Sequence, residues 1–149
     1  MRVYLGADHR GYETKELVKN WLEENGIEVE DVGAYFLDPE DDYVDIAIKV
    51  GELIEGSEAH DRGVLLCGSG HGVDIVANKF KRVRAIIAFN DEVVVQGREH
   101  EDANVLVLPA DWMSSEEACE RVRIFLETEK LNNTRHVRRR NRIENLNIR

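Results

Sequence analysis

The sequence predicts an α/β protein: a doubly wound α/β/α sandwich with a five-stranded, mainly parallel sheet. Two observations predict it. Short runs rich in Val, Ile and Leu, each about the length of a strand, alternate with segments of helical period. The resulting β-α-β-α-β-α-β-α-β-α order implies parallel strands joined by helices that cover both faces of the sheet, the Rossmann-type arrangement.

The strand-like runs are residues 3–7, 27–32, 64–67, 85–89 and 105–108. The first helical segment, 12–25, carries Leu17, Val18, Trp21 and Leu22 on one side, and Gly26 follows as a stop signal. The second, 44–54, lines up Ile46, Ala47, Val50, Leu53 and Ile54. A third begins near Gly72 and a fourth near Asp91. A fifth runs from Ser114 to about Leu126, with Ser114 as N-cap and Glu117 three residues on. Between the second strand and second helix, residues 35–42 read as a loop broken by Pro39. Residues 132–149 have a long polar helical pattern with few apolar positions. A helix that buries little on its own domain packs readily on a partner subunit, so this tail predicts contact with a second copy of the chain.

A chain of 149 residues is expected to form a single domain, 1–149, with 132–149 as its dimer-contacting tail. With 42% hydrophobic and 34% charged residues it reads as an ordinary globular protein. No apolar run nears the roughly eighteen residues of a membrane span, and the N-terminus has no leader pattern, so a cytoplasmic location without membrane contact is expected. Two cysteines, Cys67 and Cys119, make no disulfide framework, and the five histidines show no metal-ligand spacing, so no metal is expected. The net charge of −10 argues against nucleic-acid binding. Against that acidic background, residues 135–142 hold five arginines. Charge runs of this kind are usually solvated helix faces; the alternative is a local anionic target such as a phosphate.

Ligands of such folds collect at the carboxyl ends of the strands. That rule selects Asp8-His9, Cys67 to Gly72, Asn90-Asp91 and Pro109-Ala110. The strongest local signal is Cys67-Gly68-Ser69-Gly70-His71-Gly72, where a strand ends, glycines alternate and a helix follows. Such a loop lets backbone amides approach an anion, either a phosphate or a developing enediolate. The spacing is neither G-x-G-x-x-G nor a Walker loop, which disfavours a nucleotide; a purely structural turn stays open on this loop alone. Cys67 at the strand–helix junction is expected to feel the helix N-terminus, which would draw its pKa toward neutrality and suit a general base. The ordinary reading of a free cysteine is a small buried hydrophobe, and Cys119 is assigned to it.

These residues, taken in order, resemble ribose-5-phosphate isomerase type B, in the family that also holds galactose-6-phosphate isomerase subunits. The resemblance rests on Gly6-Ala7-Asp8-His9-Arg10-Gly11-Tyr12, Asp42-Tyr43, the glycine loop from Cys67, Ala77-Asn78-Lys79, Arg84-Ala85, Arg98-Glu99-His100, Asn104-Val105, and Arg135-His136 with Arg139. It implies aldose–ketose isomerisation of ribose 5-phosphate and ribulose 5-phosphate, or a related sugar phosphate, through an enediolate and without a cofactor. It implies Cys67 as the base, Ser69 with the amides of Gly68, Gly70, His71 and Gly72 as enediolate donors, and His100 in ring opening. Asp8 and Tyr43 would contact the sugar. His9, Arg135 and Arg139 would hold the phosphate, in a homodimer with shared sites that could pair further into a tetramer. The sequence departs from the family pattern at Glu101, where members usually carry asparagine beside the ring-opening histidine, and also at Val44, His71 and Asp74. Glu101 is therefore expected to bear on substrate choice, and a sugar-phosphate-binding protein without turnover is the alternative.

Overall fold

In the computed structural model the chain is described over residues 1–146. The strands are β1 (Arg2–Ala7), β2 (Glu28–Gly33), β3 (Arg62–Cys67), β4 (Ala85–Ile87) and β5 (Val105–Pro109). They form one sheet in the order β2-β1-β3-β5-β4, with every neighbouring pair parallel. The helices are α1 (Tyr12–Glu24), α2 (Tyr43–Gly56), α3 (His71–Ala77), α4 (Asp91–Glu101), α5 (Ser115–Glu127) and α6 (Thr134–Glu144), with a 3-10 turn at Ala110–Trp112. Residues 147–149 of the expected C-terminal tail lie outside the described residues.

Alternation along each buried strand divides the core in two. Val3, Leu5, Ala7, Val64, Leu66, Leu106 and Leu108 face the layer of α1, α4 and α5, where Val18, Leu22, Val94, Val122 and Phe125 meet them. Tyr4, Leu65, Cys67, Val105 and Val107 face α2 and α3, against Ile46, Val50, Ile54 and Val73. With helices on both faces, the chain reverses its direction of winding between β1 and β3. The carboxyl ends of those two strands therefore frame a crevice.

Two expectations need correction. Leu17 is half exposed, and Lys15 takes the buried place on α1 instead. Its ammonium lies 2.6 Å from Asp31 of β2 and 2.8 Å from Glu16, so the buried charge is paired. The fourth strand stops at Ile87, and Phe89 is exposed. Asn90 there turns the chain, its side chain accepting from the Val93 amide at 2.8 Å to cap α4.

Candidate active site

Asp8 leaves β1 at the crevice and is only 3% exposed. Its Oδ1 accepts the backbone N–H groups of Arg10 (3.0 Å) and Gly11 (3.1 Å), and its own N–H bonds to Leu66 O of β3 at 3.2 Å. These bonds fix the carboxylate across the crevice, with Oδ2 left to face β3. There the Cys67 thiol donates to Oδ2 at 3.0 Å. Cys67 is 8% exposed and lies at the rim of the core on the α2/α3 side.

This pairing overturns the expected shift of the thiol. Burial, then the hydrogen bond to Asp8 and its charge, push the Cys67 pKa up to about 11, and the opposing amides of Gly70 and Gly68 do not compensate. Since α3 has only seven residues, its terminus is a weak counterweight to a carboxylate in contact. At neutral pH the sulfur holds its proton and shares it with Asp8.

The glycine loop wraps the sulfur. Gly70 caps α3 with φ +80°, a left-handed conformation, and a Cβ there would meet Val107 Cγ1 at 2.8 Å. Tyr43, the first residue of α2, lays its ring against Gly72. Ser69 and His71 are exposed on the loop. Arg10 pairs with Asp111, and the pair lies over Gly68. Asp74, half-buried in the first turn of α3, is raised above the usual carboxylate range by burial, with His71 opposing.

His9 stands at the same edge. Asp41, from the loop before α2, approaches it twice through one oxygen: Oδ1 lies 2.7 Å from His9 Nδ1 and accepts the His9 backbone N–H at 3.1 Å. Asp41 Oδ2 is buried with no partner among the described residues. Nothing in the sequence marks Asp41 beyond membership of an acidic run. The Asp41 hydrogen bond holds the His9 imidazole above the usual histidine range, against desolvation; Asp8 and Arg10 act in opposite senses.

The remaining expected residues lie elsewhere. The fourth helix starts at the carboxyl edge and runs back across the layer, so the rise from Asp91 carries His100 about 13.5 Å along the helix axis. The amino edge is where Asn104 receives the Arg84 amide and Gly63 bonds to Asn104 O, at the starts of β4 and β3. There the His100 ring stacks on His136 of α6, with centroids 4.3 Å apart and planes 11° from parallel. Arg140 fastens α6 to α4 by donating to His100 O at 3.1 Å and Leu131 O at 2.8 Å. Arg135 and Arg139 are exposed beside this stack, without a carboxylate partner among the described residues. Desolvation, then the charges of His100, Arg139, Arg135 and Arg140, lower the His136 pKa. Glu101 is exposed at the same end. One chain thus brings together Asp8, His9, Tyr43, Cys67 and the glycine loop, and separately His100, Glu101, Arg135 and Arg139.

Among the described residues no group of three or more His, Cys, Asp or Glu is disposed to hold a metal ion, and no helix is long and apolar enough to cross a membrane. A family profile described as Ribose/Galactose Isomerase matches residues 3–143. The chain is 35% identical over 139 residues to ribose-5-phosphate isomerase B of Mycobacterium tuberculosis, covering 93% of this chain and 85% of that protein. The crystal structure of a ribose 5-phosphate isomerase from Thermotoga maritima superposes with TM-score 0.90 at 39% identity, covering 97% of this chain and 98% of that one. Ribose-5-phosphate isomerase B from Mycoplasma genitalium, solved with bound ribulose-5-phosphate, superposes with TM-score 0.91 at 31% identity, covering 96% and 93%.

Proposed function

The chain belongs to the ribose/galactose isomerase family, and from that premise we propose that it interconverts ribose 5-phosphate and ribulose 5-phosphate, with Cys67 as the base. The observation that carries the proposal is the Cys67 sulfur held 3.0 Å from Asp8 in the β1/β3 crevice, enclosed by the glycine loop. In the aldose-to-ketose direction Asp8 takes the thiol proton. The thiolate removes the proton from C2 and returns it to C1 of the enediolate, while the hydroxyl proton passes from O2 to O1 between the two enediolate oxygens. Oxidation at C2 balances reduction at C1, so the step needs no external electron carrier. Ser69 and the loop amides of Gly68, Gly70, His71 and Gly72 are the donors for the enediolate oxygens. Tyr43, lying over Gly72, meets a sugar hydroxyl. Asp8, with both oxygens engaged, works through the thiol rather than on a sugar hydroxyl.

His9 binds the phosphate from the chain that supplies Cys67. His100 for ring opening, and Arg135 and Arg139 for the phosphate, come from a second copy. Support for that division is the length of α4, which keeps His100 from its own Cys67. The carboxyl edge also leaves Tyr35, Phe36, Phe89 and Trp112 exposed, an apolar rim suited to a second copy. Free thiols on Cys67 and Cys119 suit a cytoplasmic enzyme.

The test is an isomerisation assay on four- to six-carbon aldose and ketose phosphates. Ribose 5-phosphate is expected to turn over. Cys67→Ala is expected to lose roughly a hundredfold or more in kcat, the scale of general-base catalysis. Normal turnover by that variant excludes the thiol as base. The exposed Glu101 carboxylate beside His100 favours one second reading, a sugar-phosphate-binding protein without turnover. Calorimetric binding with no isomerisation across the panel selects it, and Glu101→Asn then shows whether that carboxylate blocks the reaction.

A further inference from the structure

We propose that Asp41 is a positioning residue for substrate phosphate, holding the His9 ring as an imidazolium with Nε2–H free to meet the anion. The inference rests on the assignment of His9 to phosphate given above. Its own ground is the geometry of one carboxylate. Asp41 Oδ1 receives both the ring Nδ1–H at 2.7 Å and the backbone N–H at 3.1 Å of the same residue, which fixes the ring and its main chain together. Nδ1 is thereby committed, and Nε2 makes no hydrogen bond or ion pair among the described residues. Asp41 Oδ2 is buried without a partner, so among the described residues the imidazolium is the only group that neutralises this carboxylate.

The other charges bearing on the ring are Asp8, which also favours the cation, and Arg10, which opposes it. Arg10 is itself paired with Asp111, which blunts its effect. The Asp41 side chain is largely shielded from solvent, so its charge acts on the ring with little screening. An imidazolium hydrogen bond to a phosphate dianion is about twice as strong as a neutral one. The dyad therefore extends tight substrate binding to higher pH than an isolated histidine would allow.

Asp41→Asn tests this in the full-length protein, because the amide oxygen can still accept both N–H groups while the charge is gone. His9 titration is followed by NMR of the ring, and KM and kcat for ribose 5-phosphate are measured from pH 6 to 9. The His9 midpoint should fall, since the Asp41 hydrogen bond is the main cause that raises it. KM near pH 8 should rise roughly fivefold while kcat changes less than twofold. Asp41→Glu, which restores the charge, should recover part of the loss. An unchanged His9 midpoint in Asp41→Asn overturns the proposal. So does a lowered midpoint with an unchanged KM, provided that His9→Asn raises KM. If His9→Asn leaves KM unaltered as well, the assignment of His9 to phosphate fails, and the dyad loses its role with it.

Discussion

A thiol that rests protonated must pass its proton on before it can take one from carbon, and Asp8 is the neighbour placed to receive it. The two roles of Asp8 pull in opposite directions. Its charge, after burial, holds the Cys67 thiol up, while its oxygen offers the thiol proton somewhere to go. Asp8→Asn separates them. With the carboxylate gone the thiol should ionise at lower pH, so alkylation by iodoacetamide near pH 8 should run roughly threefold faster or more. Isomerisation should nevertheless fall by about a hundredfold. Isomerisation that rises with alkylation would remove Asp8 from the proton path. Cys67 and Asp8 were each legible in the sequence, as reactive groups at strand ends. Their contact was not, because it depends on the register of β1 against β3 across 59 positions. The direction of the thiol's shift escapes the sequence for a related reason: the helix terminus is local and visible there, whereas burial and a carboxylate from another strand are not. Asp41 was illegible because nothing in the acidic run of Asp38, Glu40, Asp41 and Asp42 singles out the one that meets His9.

At the scale of elements, the end of α4 decides where His100 stands. Asp102 closes the helix in a left-handed conformation, φ 54°. Its carboxylate takes Arg98 at 3.0 Å, Lys130 at 3.0 Å and Arg84 at 3.2 Å, tying α4 to β4 and to the segment that leads into α6. Burial alone would raise the Asp102 pKa, but Lys130, Arg98 and Arg84 together hold it below the usual carboxylate range. A carboxylate whose pKa is depressed by folding stabilises the protein above its unfolded pKa, and that contribution is lost as the pH falls through the folded value. Asp102→Asn, which tolerates the same backbone, should therefore lower stability to urea at pH 7 by about 1–3 kcal/mol. The gap from the parent should narrow as the pH falls below about 4, and a gap independent of pH would assign the loss to packing instead. Elements with local signals were readable before the structure. The fifth helix begins with the expected capping box, Ser114 N–H donating to Glu117 at 2.7 Å and Glu117 N–H to Ser114 Oγ at 3.1 Å. Choices made by distant partners were not readable. Lys15 displaces Leu17 from the interior because Asp31 of β2 awaits its charge. The position of β5 between β3 and β4 is fixed by pairing, which periodicity does not encode.

For the whole molecule, the decisive fact is that one chain holds the two groups of residues assigned to the proposed reaction at opposite edges of the same sheet. Cys67, Asp8 and His9 lie at the carboxyl edge, and His100 with the exposed Arg135 and Arg139 lies at the other, so the proposed base and the proposed ring-opening histidine of one chain are kept apart. Bending one half onto the other would require breaking α4, which is anchored at both ends by Asn90 and Asp102. Symmetric association solves the problem without deformation: in a twofold dimer each carboxyl edge can meet the partner's α4–α6 end, and both sites form at once. This makes a complementation experiment decisive. Cys67→Ala and His100→Ala should each be nearly inactive as homodimers. Unfolded together and refolded as a mixture, half of the dimers carry one chain of each kind. If a site draws Cys67 from one chain and His100 from the other, each mixed dimer contains one site with both residues intact. The equimolar mixture should then recover about a quarter of the parent activity. If each chain completed its own site, no mixed dimer would contain an intact one and the mixture would stay as inactive as its components. Recovery must also track dimer formation by sedimentation, since activity appearing in monomer fractions would contradict a shared site.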